Sequence, residues 1–105
     1  MAWIYLIIAG IFEVVWAIGL KYSQGFTKLF PSLVTFGGMV ISFYLLSISI
    51  KTLPLGTAYA IWTGIGALGS VILGILLFSE PLNISRVIFL SLILAGIIGL
   101  KMTTV

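Results

Sequence analysis

The chain has 105 residues, of which 62% are hydrophobic and only 7% carry a charge. A water-soluble domain carries about 25% charged residues, so this composition excludes an ordinary soluble fold, and its apolar content excludes intrinsic disorder. Cysteine and histidine are absent, which removes disulfides, most zinc sites and the commonest general base. We therefore expect a membrane protein that is not an enzyme and requires no metal or cofactor.

Four apolar stretches follow one another along the chain. A helix needs about 20 apolar residues to cross a hydrocarbon core of about 30 Å, and each stretch comes close to that length. We predict an all-α membrane protein, a single four-helix transmembrane domain over residues 1–105, with helices at about 2–20, 31–50, 56–78 and 84–100. The connections are short, so consecutive helices should be antiparallel neighbours.

The breaks between the helices carry turn-forming residues. Gly25 suits a positive-φ turn, Pro31 suits the first turn of the second helix, and Pro54 prevents the second helix from continuing. Either Asn83 or Ser85 is expected to cap the fourth helix.

The flanking cations are almost balanced between the two sides of the membrane. In an up-and-down arrangement one side carries Lys51 and Lys101, and the other carries Lys21, Lys28 and Arg86. The positive-inside rule requires an excess on one side, so we expect the chain to insert in both orientations, with a weak single preference as the alternative. These cations form no basic patch, which argues against nucleic acid as a partner.

Glu13 lies in the middle of the first helix, about 16 Å from its start at about 1.5 Å per residue. A carboxylate at that depth is normally protonated or paired with a cation, yet every lysine and arginine falls at a predicted helix end. We interpret Glu13 as an ion or substrate site, the alternative being a protonated side chain that donates a hydrogen bond within the bundle.

The surroundings predicted for Glu13 include small and polar side chains. Gly10 leaves room on the same helix face for a cavity or for close packing, and Trp16 offers an indole N–H to the carboxylate. Ser42, about level with Glu13, belongs to a stripe on the second helix that consists of Thr35, Gly38, Ser42, Leu45 and Ser49. Ser42 is expected to bind either the carboxylate or its own helix backbone.

The third and fourth helices differ in the roles that their residues suggest. Tyr59 and Trp62 share a face of the third helix, and Gly64 with Gly66 allows either a kink or close helix contact. The fourth helix has small faces formed by Ala95, Gly96 and Gly99, which suit docking of another helix.

One buried carboxylate per chain and balanced flanking charge together suggest two oppositely inserted copies. Suppose that a proton and a cation compete for Glu13, and that the site turns from one side of the membrane to the other only when one of them is bound. The pair of chains then exchanges protons for cations. A membrane scaffold without transport activity is the alternative of a different class.

Four motifs of the chain resemble the small multidrug resistance family, and within it the guanidinium exporter branch. They are GIFEVVWA at 10–17, GLKYS at 19–23, KTLPLGTAYAIWTGIGA at 51–67 and GIIGLK at 96–101. The resemblance covers essentially the whole chain and implies a multi-pass protein of the bacterial inner membrane that forms an antiparallel homodimer and exports guanidinium in exchange for protons.

The resemblance also implies individual roles. Glu13 would bind proton and substrate alternately, held by Trp16 and Ser42, while Tyr59 would switch between subunits and Trp62 would line the pocket. Gly64 and Gly66 would let the third helix bend, and the fourth helix would join the subunits. A broad exporter of quaternary ammonium or aromatic cations is the nearest alternative function.

Overall fold

The computed structural model describes residues 1–103 and consists of four long helices. They are α1 (Ala2–Tyr22), α2 (Leu29–Ser49), α3 (Leu55–Phe78) and α4 (Ile84–Thr103). All four are long and apolar enough to cross a membrane. At their ends α1 and α4 extend past the predicted bounds through Lys21 and Lys101, because lysine is a good helix former whose long side chain reaches the interface.

The turn between α1 and α2 reverses the chain through three consecutive left-handed residues. Gly25 has φ +75°, and its neighbours Gln24 and Phe26 have φ +50° and +67°. The buried Ser23 holds this turn, because its hydroxyl donates to the Leu20 carbonyl at 2.7 Å and accepts from the Phe26 N–H at 3.1 Å. The positive φ at Gly25 confirms the predicted turn.

The remaining turns are set by proline and by side-chain capping. Pro54 immediately precedes α3, and Ser79 ends that helix in the left-handed conformation with φ +55°. Asn83 caps α4, because its side-chain oxygen accepts a hydrogen bond from the Arg86 N–H at 2.9 Å. This bond selects Asn83 over Ser85 as the cap.

Helix α1 lies at the centre and packs on both α2 and α3. Small residues permit the close approach. A β-carbon on any of three glycines would come within 3.0 Å of a neighbouring helix: Gly10 against Ile65, Gly19 against Thr35 and Gly38 against Trp16. The rotation of α1 relative to its neighbours therefore depends on these glycines.

The polar stripe of α2 is its buried face. Thr35, Gly38, Ser42 and Ser49 are the buried residues of this helix. The Thr35 hydroxyl donates to the Pro31 carbonyl at 2.8 Å, and the Ser49 hydroxyl lies 3.0 Å from the Leu45 carbonyl and 3.2 Å from the Ala2 carbonyl of α1. The small hydroxyl side chains thus donate to backbone carbonyls and let α1 and α2 approach closely.

Helix α4 packs along α3 alone and, over residues 84–103, buries no residue fully. Charged side chains make two further contacts near its ends: Arg86 lies 3.4 Å from Glu80 in the connection between α3 and α4, and the Lys101 ammonium lies 5.5 Å from the centre of the Trp3 ring of α1. The described chain is a slab of 43 × 35 × 17 Å. Such a thin body leaves apolar side chains on both faces, available to lipid or to another chain.

Candidate functional site

Glu13 occupies the contact between α1 and α3 rather than a lipid-facing position. Its side chain is partly buried, and its carboxylate lies so close to Gly66 that a β-carbon on that glycine would overlap it. On either side of it, the same contact brings Gly10 against Ile65 and Val14 against Gly69. Glycine at position 66 therefore makes the space that the carboxylate occupies.

Two buried polar atoms on this part of α1 make no hydrogen bond among the described residues. Within residues 1–103, Oε2 of Glu13 and Nε1 of Trp16 are the buried side-chain polar atoms that make no hydrogen bond. Buried polar groups in folded proteins are nearly always hydrogen-bonded. An unpaired acceptor and an unpaired donor on neighbouring turns of one helix are typical of a site that binds a ligand.

Ser42 does not hold Glu13, which corrects the expected contact between these side chains. Its hydroxyl donates to the Ala9 carbonyl of α1 at 2.6 Å and accepts from the Trp62 indole N–H at 2.9 Å. Ser42 is level with Ala9, one helical turn before Glu13, and its only proton is already used. It therefore joins α1, α2 and α3 just below the carboxylate, and it bonds neither Glu13 nor its own helix.

The expected bond between Trp16 and Glu13 is also not formed. The Trp16 side chain starts against Gly38 of α2, whereas the Glu13 carboxylate is directed towards Gly66 of α3. The two side chains share one face of α1 but point to different neighbouring helices.

Trp62 is buried and lies between two other aromatic rings. Its ring centre lies 5.6 Å from that of Tyr59 and 5.5 Å from that of Phe43, both at tilted angles. Tyr59 is 55% exposed and can meet a ligand or another chain. Phe43 was missed by sequence reasoning, because an aromatic residue on an apolar helix carries no signal of its own.

The two glycines expected to bend α3 each clear space for a neighbouring side chain. Gly64 faces Ile97 of α4, and Gly66 faces Glu13. Helix α3 runs without a break from Leu55 to Phe78. Both glycines therefore permit close packing, and the bend of α3 stays a prediction.

The small residues of α4 face outward. Ala95, Gly96 and Gly99 are exposed, and a β-carbon on either glycine would have no neighbour within 4 Å among the described residues. This strip of α4 is accessible to another helix.

The sequence matches the model of the Small Multidrug Resistance protein family over residues 1–93. The chain belongs to the small multidrug resistance family. It is accordingly a multi-pass transporter of the bacterial inner membrane.

Relatives within the family match the chain along nearly its whole length. A guanidinium exporter of Yersinia pestis is 59% identical over 104 residues, covering 99% of this chain and all of the relative. Guanidinium exporters of Citrobacter freundii and of Salmonella typhimurium strain LT2 are 59% and 61% identical, each covering at least 98% of both chains.

Proposed function

We propose that this transporter exports guanidinium, and small cations that carry a guanidinyl group, in exchange for protons. The observation that carries the proposal is the unpaired Glu13 carboxylate oxygen, which is buried in the middle of an apolar helix and has no ion pair within residues 1–103. The naming of relatives at 59% identity as guanidinium exporters supports the same substrate.

Guanidinium suits the chemistry around Glu13. It is planar and permanently charged, and its N–H groups form paired hydrogen bonds to a carboxylate. Stacking on an indole face, that of Trp16 or Trp62, adds about 1–2 kcal/mol when the cation is desolvated. Trp16 Nε1 is itself a donor, so it cannot bind the cation's N–H groups, but it can donate to the carboxylate that binds them.

Exchange follows if proton and guanidinium use the same carboxylate. A protonated Glu13 has lost the charge that the cation requires, and a bound cation occupies the oxygen atoms that a proton would take. Binding of guanidinium should therefore weaken as pH falls. If the transporter reorients only when the carboxylate charge is satisfied, a proton gradient drives guanidinium in the opposite direction.

The proposed transporter is an antiparallel homodimer with the two Glu13 side chains at the interface. The nearly balanced lysines and arginines support insertion in both orientations. The exposed strip of Ala95, Gly96 and Gly99 on α4 supports helix-to-helix contact between subunits, and the exposed Tyr59 supports a role where the subunits meet. Two lysines added on one side should fix the orientation and abolish transport by that variant alone; undiminished transport would contradict the antiparallel pair.

The test is proton release from liposomes on addition of guanidinium. Glu13→Gln keeps the size of the side chain but cannot exchange a proton, so it should abolish the flux. Glu80→Gln is the matched control, because Glu80 is the only other acidic residue and lies outside the helices. Guanidinium-dependent proton flux that survives in Glu13→Gln would contradict the proposal.

Comparison of substrates separates the proposal from the alternative exporter. Tetraalkylammonium ions have no N–H groups to donate to a carboxylate and need more room. Strong transport of tetraalkylammonium together with none of guanidinium would favour a broad exporter of quaternary ammonium and aromatic cations.

A further inference from the structure

An apolar groove runs along α1, and Glu13 is not among the described residues that line it. It has a volume of about 1030 Å³ and is open along one side. Its walls come from all four helices and include Ile11, Val15, Ile18, Val34, Leu73 and Leu94. None of these residues is a ligand-binding side chain of the proposed transport site.

The groove extends over half of the membrane only. On α1 its lining residues run from Ile11 to Tyr22, which at about 1.5 Å per residue is about 16 Å. That length matches one leaflet of a hydrocarbon core of about 30 Å. The groove therefore begins near the bilayer midplane and ends at one interface, as a lipid acyl chain does.

The interfacial end of the groove is polar and positively charged. Tyr22, Gln24 and Lys28 line it there, and Lys28 is exposed. Neither Glu13 nor Glu80 is among the groove-lining residues that the structure describes. This end of the groove therefore presents hydrogen-bond donors and one uncompensated positive charge at headgroup level.

From this arrangement we infer that the groove is a binding site for an anionic phospholipid, with its acyl chain along α1 and its phosphate at Lys28 and Gln24. A guanidinium ion is repelled by Lys28. In a second copy of this chain, which has a net charge of +3, neither acidic side chain is available to Lys28, because Glu13 lies within a span and Glu80 is already paired with Arg86. An anionic lipid supplies both the apolar tail and the missing negative charge.

Photocrosslinking with a lipid tests this site directly. The full chain is placed in nanodiscs of phosphatidylcholine that contain a small fraction of phosphatidylglycerol with a diazirine on its acyl chain, and the crosslinked peptides are mapped. Crosslinks should concentrate on the groove around Ile18 and Leu73. Unlabelled phosphatidylglycerol should suppress them several-fold more effectively than unlabelled phosphatidylcholine.

Variants of Lys28 report on the headgroup. A lysine near an anionic lipid surface contributes about 1 kcal/mol, which corresponds to about a fivefold preference. Lys28→Gln should remove that preference and Lys28→Arg should retain it. Lys51→Gln is the matched control, since Lys51 is also an exposed turn lysine but lies outside the groove.

Three results would overturn the inference. The first is a crosslink pattern that is spread evenly over lipid-facing residues. The second is equal suppression of crosslinking by unlabelled phosphatidylglycerol and phosphatidylcholine, unchanged in Lys28→Gln. The third uses the absence of cysteine in the chain: rapid disulfide formation between two copies of Ile18→Cys in the membrane would show that a second chain covers the groove.

Discussion

The carboxylate of Glu13 on α1 and the backbone of Gly66 on α3 are in direct contact, so no side chain fits at position 66 without displacing the acid. Glu13 is the one acidic residue of the membrane spans, and its carboxylate packs against a glycine instead of pairing with a cation. It also means that the position of the carboxylate depends on a residue of a different helix.

Gly66→Ala should therefore impair transport through Glu13. The added methyl group forces the carboxylate into another rotamer, which costs about 1 kcal/mol or more and should lower guanidinium-dependent proton flux by about fivefold or more. Gly37→Ala is the control, because a β-carbon there meets nothing within 4 Å. Flux assays in liposomes compare the two variants, and equal activity would argue against the importance of the contact.

Ser42→Ala should destabilise the protein. The substitution leaves the buried Trp62 N–H without its acceptor and removes the hydroxyl bond that ties α2 to the Ala9 carbonyl of α1, at a cost of about 1–3 kcal/mol. The measurement is denaturant unfolding in detergent micelles. Ser47→Ala is the control, since that exposed hydroxyl bonds only the Tyr44 carbonyl of its own helix, and its effect should stay within about 0.5 kcal/mol. Similar losses from both variants would contradict the bridging role of Ser42.

Trp16→Phe and Trp62→Phe should separate binding from stability. Among the described residues the Trp16 N–H makes no hydrogen bond, whereas the Trp62 N–H does. Trp16→Phe should therefore weaken guanidinium binding by about fivefold, the value of one hydrogen bond of about 1 kcal/mol, with less loss of stability than Trp62→Phe. Titration calorimetry and thermal unfolding measure the two quantities. Guanidinium affinity that is unaffected by Trp16→Phe would count against any contact between Trp16 and the bound state.

Gly74→Ala and Glu80→Gln should act through the same contact. The Glu80 side chain folds over the end of α3, and a β-carbon on Gly74 would lie 2.5 Å from its Oε1, the atom that pairs with Arg86. Each variant should weaken this partly exposed pair, at a cost of about 1 kcal/mol or less. In a double-mutant cycle on thermal stability the two effects should not add, and high salt should reduce both. Fully additive effects would show that Gly74 and Glu80 are independent.

Much of the fold follows from local properties of the chain. Hydropathy alone predicts four membrane spans, and proline, glycine and asparagine predict where they are interrupted, because these signals depend on neighbouring residues only. The depth of Glu13 follows from the same helix geometry. The stripe from Thr35 to Ser49 also correctly identified the buried face of α2, since residues three and four apart lie on one side of a helix.

The partners of the site residues were decided by the tertiary structure. A sequence gives the face on which Ser42 and Glu13 lie but not the helical turn that each meets on a neighbouring helix. Glycine contacts such as that of Gly38 with Trp16 set how far neighbouring helices are shifted along one another. This shift brings the Ser42 hydroxyl to the Ala9 carbonyl and the Glu13 carboxylate to Gly66. The lipid-length groove beside Lys28 likewise exists only because residues of all four helices come together in the packed chain.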